Sequence, residues 1–347
     1  MRSVIFATFS TIPAIATANY PFAPETFDGS YKELGLPTIY DLSATQSSNY
    51  NGSWATGSWI TSVSGGQYFA VSHYVNDGIH DVYRTSILDL SSLEYRYFFQ
   101  AGNGSYPSSP PSHLKAGVGD GNCFEGISDD NYATMHVQSS HSNVTFDLTY
   151  QATTKPLING GAGVVMLGAS ESKQWSLPAC RTNGFLVVNN EQIPIDPMRS
   201  LTWYDRQWGT GGFTNWTWFG LHIPQTGHVL SIWTGDTHTN RTAPVVPGRF
   251  ATVRNAQGAQ TVCDVTWTPD LNRTFYSDSA NETYPLAWTV EIPNYDAVVR
   301  IESGAANQLN TGSHGPEPPA YNGFVTFSGQ FQGAEIEGFG IVEIVYL

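Results

Sequence analysis

The feature that most constrains this chain is a succession of short β-branched and aromatic runs with turn residues between them. "QYFAVSHYV" (67–75), "NVTFDLTYQA" (143–152), "GHVLSIWTGD" (227–236), "LAWTVEIP" (286–293) and "GFVTFSGQF" (323–331) are examples. Val, Ile, Thr, Tyr, Phe and Trp suit a pleated, half-buried surface, and Gly, Pro, Asn and Asp punctuate the runs at the spacing of sandwiches and barrels. No apolar stripe keeps a helical period beyond about three turns. The expectation is an all-β protein, and 347 residues are enough to bury a large core. The best boundary between two β-domains is "NNEQIPIDPMRS" (189–200), a polar, proline-bearing stretch. Residues 101–122 and 305–323 read as long surface loops, a class that often supplies lids and binding loops.

The chain begins "MRSVIFATFSTIPAIATANYPF". Arg2, an apolar run and Ala16-Thr17-Ala18 read as a secretory signal peptide over 1–18, cut before Asn19. Sequons at Asn51, Asn103, Asn143, Asn215, Asn240, Asn272 and Asn281 point the same way, to a glycoprotein of the secretory pathway or a secreted one. No other stretch nears the roughly 20 apolar residues of a membrane helix, so no membrane partner is expected.

A net charge of −14 without a basic patch argues against nucleic acid. Aromatic residues equal charged ones at 13% each, which suits a hydrophobic, ring-bearing small molecule. Cys123, Cys180 and Cys263 allow at most one disulfide, with the pair left open, and their spacing is unlike a zinc site. "HVQSSH" offers His136 and His141 but no fitting third ligand nearby. Hydrolase-elbow, metalloprotease, dinucleotide and calcium-loop patterns are missing, so no motif demands a cofactor or a metal.

"LTWYDRQWGTGGFTNWTWFGLHI" (201–223) is the stretch richest in chemistry. Read as strand, glycine turn, strand, it places Trp203, Asp205 and Gln207 on one face and Tyr204, Arg206 and Trp208 on the other. Adjacent charges on opposite faces cannot both reach water if either face is core. At least one is therefore buried with a partner, and buried charges concentrate at functional sites. In the second strand a glycan on Asn215 would mark the solvated face. That turns Trp216, Trp218 and His222 inward, Trp218 and His222 forming a pocket wall that ends in a titratable group. Trp203 and Trp216 are expected to be packing.

Six segments in order carry a resemblance: "VTFDLTYQATTKPLINGGAGVV" (144–165), "SKQWSLPACRTNGFLVV" (172–188), "SLTWYDRQWG" (200–209), "WTWFGLHI" (216–223), "YPLAWTVEIP" (284–293) and "YNGFVTFSGQFQGAEIEGFGIVEIVYL" (321–347). Together they cover about half the chain. They resemble the lipocalin-like CrtC/AttH family, nearest to its secreted fungal branch of kievitone hydratases and tropolone-sesquiterpenoid hetero-Diels–Alderases. The resemblance implies two lipocalin-like β-barrel domains side by side, 19–193 and 194–347, with a substrate cavity at or between them and no cofactor. It also implies alkene hydration, dehydration or cycloaddition on a polyketide, terpenoid or prenylated phenol.

Of these reactions the fullest is dehydration of a hydroxymethyl tropolone or phenol to a quinone methide, trapped by a terpenoid alkene. The alternatives are hydration of a prenyl alkene and a non-catalytic carrier. Protonating carbon or a leaving hydroxyl calls for a carboxyl in a dry pocket. Glu343, flanked by apolar residues in the last strand, and Asp205 are the candidates. Arg206 or Arg300 would face a developing oxyanion, and His222 completes the catalytic set. His73, Tyr74, Trp208, Trp218 and Tyr321 are the expected substrate contacts.

Overall fold

The computed structural model describes residues 19–34, 38, 40–46, 52–76, 79–105, 113–168, 170–212, 215–237, 246–312 and 318–346. The expected signal segment and the sequons Asn51 and Asn240 lie outside them. The strands that shape the site are β1 (Gly52–Thr61), β2 (Gln67–Asn76), β3 (Asp81–Asp89), β4 (Ser170–Val188), β5 (Leu201–Gly209), β6 (Asn215–Ile223), β7 (His228–Thr237), β8 (Val246–Arg254), β9 (Ala320–Phe331) and β10 (Ala334–Tyr346). The fold is all-β. Its one α-helix among the described residues is a single turn, Leu42–Thr45, capped by the Asp41 side chain.

Two large antiparallel sheets account for most of it. The first has 14 strands among the described residues, running from Tyr95–Gly102 through β3, β2, β1, β5 and β4 to Val144–Gln151 and beyond. It curls until Tyr95–Gly102 and β3 pack against Lys115–Val118 and Val144–Gln151, which makes it a nearly closed barrel. Inside lies a core that includes Trp54, Tyr74, Tyr83, Phe124, Trp175 and Tyr204, with Leu42 of the helical turn as a plug. The second sheet is a half-barrel with β8, β7, β6, β10 and β9 at its centre and its own core around Phe219, Trp288, Tyr321 and Val342.

A third core joins the two. Trp59, Phe69, Val71 and Trp203 from the outer face of the first sheet meet Trp218, Trp233, Phe324, Phe339 and Ile341 from the second. The central strands are thus buried on both faces, as sheets stacked face to face require. That explains why β6 is buried from Thr217 to Ile223 with no exposed alternate. Each fully buried large apolar side chain contributes roughly 1.5–3 kcal/mol, so this junction is a major part of the stability.

Three expectations change here. Residues 189–200 do not link two domains: Glu191–Pro194 hairpins back onto β4, Ile195 bridges to Ser62, and β5 pairs with β1 and β4. The first sheet therefore extends to Gly209, and the second begins with Asn215. A Cβ on Gly211 would stand 2.4 Å from the Ser170 carbonyl oxygen, so only glycine fits. The expected loop at 101–122 contains the sheet strand Lys115–Val118. Asn215 is half-buried, and its face continues into the second core through Phe219 and Leu221 rather than into solvent. Asn103, Asn143, Asn272 and Asn281 are exposed. All three cysteines are free thiols.

Candidate active site

Antiparallel register builds the site as two facing rows. Across the first sheet, Arg84 of β3, His73 of β2, Ala55 of β1, Asp205 of β5 and Ser176 of β4 are successive partners. Directly paired residues share a face, so all five side chains point toward the second sheet. Neighbouring strands lie about 4.8 Å apart, and the small Ala55 leaves open the space between His73 and Asp205. Across the second sheet the matching row is Asn322 of β9, Glu343 of β10, Trp218 of β6 and Trp233 of β7.

Between the rows is a cleft in two parts. An inner chamber of about 40 Å³ is walled by Asp205, Trp203, Gln174, Trp218 and Asn322. It meets an outer chamber of about 190 Å³ edged by Arg84, Trp208, Trp216, Gly211 and Pro318. His73, Gln207, Trp233 and Glu343 line both.

Asp205 is 7% exposed, and burial pushes its carboxyl up to about 7. Hydrogen bonds from Ser176, Trp203 and Gln174 oppose the rise, and the charge of Glu343 adds to it. The Trp203 indole N–H donates to Asp205 Oδ1 at 2.8 Å. Gln174 is itself oriented across the junction, its Oε1 accepting from Trp233 Nε1 at 3.0 Å. Glu343 has a parallel arrangement: Trp216 Nε1 donates to its Oε1 at 3.0 Å, while its Oε2 stands 3.7 Å from His73 Nδ1. That last pair is not a salt bridge. Burial, with Arg84 nearby, drives His73 down to about 3, so the ring is neutral.

The site therefore holds two carboxyl groups, one favouring its proton near neutrality, each anchored by an indole N–H. Trp203 and Trp216, expected as packing, are those anchors. Trp218 lines the inner chamber with its Nε1 bonded to Ser231. Trp208 faces the first core beside Tyr40 and reaches only the outer chamber.

Other expected residues lie elsewhere. Arg206 points into the first barrel, away from Asp205. Its Nε donates to Thr45 O at 2.9 Å and its Nη1 to Ser53 O and Gln207 O at 3.2 and 2.6 Å, with the Trp54 ring 3.9 Å away. Tyr74 follows the same parity, donating to Asp81 inside that barrel. His222 sits in the junction between Phe339, Trp59 and Trp203, lines neither chamber and is held at about 3 by burial. Tyr321 turns into the second core, bonded to Ser303 and Ala305 O, one residue out of phase with the cleft. Arg300 is on the surface, paired with Asp270 and Glu302 beside a separate hollow of about 450 Å³.

Sequence reasoning missed Arg84, Gln174 and Asn322. Asn322 follows from parity one step beyond Tyr321. An arginine inside the apolar run "DVYRTSILDL" was a legible signal for Arg84, which is 3% exposed and donates to Pro318 O at 2.7 Å.

The AttH-like family model matches residues 113–345. Dehydratase asqC of Emericella nidulans is 82% identical over all 347 residues, covering the whole of both chains. Kievitone hydratase of Fusarium solani subsp. phaseoli is 37% identical, over the whole chain and 98% of the relative. The crystal structure of kievitone hydratase from Nectria haematococca superposes with a TM-score of 0.87 at 36% identity, covering 94% of this chain and 98% of that one. A putative AttH from Nitrosomonas europaea shares the fold alone, at a TM-score of 0.72 and 16% identity over 90% of this chain and 99% of that one.

Proposed function

Because the chain belongs to the AttH-like family and is an enzyme of the hydro-lyase kind, we propose that it removes water from an alcohol on a hydrophobic, ring-bearing small molecule, with Asp205 as acid and Glu343 as base. One observation carries the reading: two carboxyl groups, Asp205 held up to about 7 by burial and Glu343 across from it, face one buried chamber lined by indoles.

In this mechanism protonated Asp205 gives its proton to the leaving hydroxyl, and the C–O bond breaks to release water. Positive charge develops on carbon, where the faces of Trp218 and Trp233 stabilise it. The Glu343 carboxylate takes a proton from the adjacent carbon, and the C–H electrons form the alkene. Asp205 ends charged and Glu343 protonated, and proton exchange through the released water resets both. Run backwards, the same groups would hydrate an alkene, which is in keeping with one relative named a dehydratase and another a hydratase.

Dehydration of a hydroxymethyl tropolone or phenol to a quinone methide is the extended form of this step, in which Glu343 takes the proton from the ring hydroxyl rather than from carbon and the O–H electrons pass through the ring to form the exocyclic C=C bond. A following cycloaddition would need room for a second large partner beside the first. Chambers of about 40 and 190 Å³ suit the reacting end of one substrate, against about 300–1,000 Å³ for drug-sized ligand sites. Export and glycosylation are supported by the first 18 residues and by the four exposed sequons.

The test is mass spectrometry of fungal metabolite extracts, and of kievitone, incubated with the purified chain in ordinary and ¹⁸O-labelled water. The reading expects compounds that lose one water, or take one up with its label, and expects neither with Asp205→Asn. A chain that changes no compound by one water overturns it.

A further inference from the structure

His136 lacked a third ligand in the sequence, and strand pairing supplies its neighbours. Cys123 and Glu125 stand two residues apart on Cys123–Gly126 and so share a face. The next strand, Thr134–His141, places His136 directly opposite Glu125. Alternate residues of these strands, Phe124, Met135 and Val137, point into the first core, which leaves the three on the outer wall of the barrel. Cys123 Sγ, a Glu125 carboxylate oxygen and a His136 ring nitrogen lie within 4.8 Å of one another.

We infer that Cys123, Glu125 and His136 form a binding site for a zinc-class divalent cation that clips these two strands together, apart from the cleft.

Three features besides proximity point to a cation. His136 Nδ1 stands 3.6 Å from Glu125 Oε2, and ligands about 2.0–2.3 Å from a tetrahedral Zn²⁺ are separated by a similar distance. The other ring nitrogen, Nε2, is 3.0 Å from Asp147 Oδ1 on the following strand. That is the carboxylate–histidine arrangement that fixes the tautomer and orientation of a metal-ligating imidazole, leaving Nδ1 for the metal. The charges also close when Cys123 gives up its proton to bind: one thiolate and one carboxylate then balance a divalent ion around a neutral imidazole. A thiolate, imidazole and carboxylate set is of the borderline softness that suits Zn²⁺ rather than Mg²⁺ or Ca²⁺.

Lys115 reaches the other carboxylate oxygen, Glu125 Oε1, at 2.8 Å. Its side chain is 65% exposed and free to swing outward, so it competes weakly with the ion. Three protein ligands leave a fourth position for water.

The full chain, stripped with a chelator, is titrated with Zn²⁺ by calorimetry and with Co²⁺ by absorption. The expected result is one ion per chain, a thiolate-to-cobalt charge-transfer band and a higher melting temperature with Zn²⁺. Cys123→Ser should abolish the band, and His136→Gln should abolish binding. Asp147→Asn should keep the band and weaken affinity about 10- to 100-fold. Circular dichroism verifies that each variant is folded. Absence of a thiolate band with Co²⁺, or Zn²⁺ affinity unchanged in His136→Gln, overturns the assignment.

Discussion

Strand β5 buries a negative and a positive charge on adjacent residues, and its two faces treat them differently. Arg206 faces a packed barrel in which three carbonyl oxygens accept its N–H groups and indoles cover its plane. Asp205 faces the inner chamber of the cleft, and burial raises it to about 7. Both are costly to bury. The interior face offsets that cost with hydrogen bonds to three carbonyl oxygens, which fix the strand. The cleft face leaves its charge unstable at neutral pH, which is what an acid catalyst requires. Replacing each residue in turn tests whether one strand divides stability and catalysis so cleanly.

The largest effect is expected at Asp205. Asp205→Asn keeps the shape and the Trp203 contact but has no proton to give. Turnover should fall about 10²- to 10⁴-fold, the usual contribution of general acid catalysis. A variant with near-normal turnover would move the acid to Glu343. Arg206→Met is the converse experiment. It leaves the carbonyls of Thr45, Ser53 and Gln207 without their donor, at about 1–3 kcal/mol for each buried group left unpaired. A loss of about 3 kcal/mol or more in chemical denaturation is expected, with turnover per folded molecule kept within a few-fold. A stable but inactive Arg206→Met would contradict the division.

That division was half visible in the sequence. Alternation along "TWYDRQWG" put Asp205 and Arg206 on opposite faces, and the structure has them so. Periodicity cannot say which face is the barrel interior, because both are buried and both read as apolar. Taking Asn215 as a solvent marker failed for the same reason, since neither face of β6 is open to water. Tyr321, Tyr74 and Arg206 went astray by parity: each is next to a cleft residue, Asn322, His73 or Asp205. The barrel character was legible in the strand runs and family motifs. That β5 belongs to the first sheet depends on long-range pairing with β1, which no local signal in 189–200 reports.

Titration offers a milder probe of the same contrast. In the folded chain Asp205 binds its proton more tightly than the free side chain does, at about 7 against 3.8. Its stabilising contribution is therefore complete below pH about 4 and is lost as pH rises through 7. Asp205→Asn should gain in melting temperature relative to the parent above pH 7, and the gain should vanish near pH 4. Activity of the parent should also decline above pH 7 as the acid empties. His222 acts in the opposite sense: held at about 3 against 6.5, it favours the fold above pH 6.5 and loses that as pH falls toward 3. His222→Phe should flatten the acid side of the stability profile without moving the activity limb near 7. Melting curves from pH 3 to 9 separate the two groups, and an alkaline activity limb surviving in Asp205→Asn would assign it elsewhere.

The smallest effect is expected at a second arginine, and it sharpens what Arg206 shows. Arg300 also sits on a strand and also meets carboxylates, Asp270 at 3.1 Å and Glu302 at 2.8 Å. Its side chain is 45% exposed, so water and salt screen those pairs and replace them readily when they break. Nothing buried is left unpaired by its removal, and although register places it on the same face of the sheet as Asn322, it lines neither chamber of the cleft. Arg300→Ala should therefore leave turnover and melting temperature unmoved, most plainly at high ionic strength. If it instead lowered turnover as Asp205→Asn does, the hollow beside Arg300 would become the rival site, and burial on β5 would cease to be the guide to chemistry in this fold.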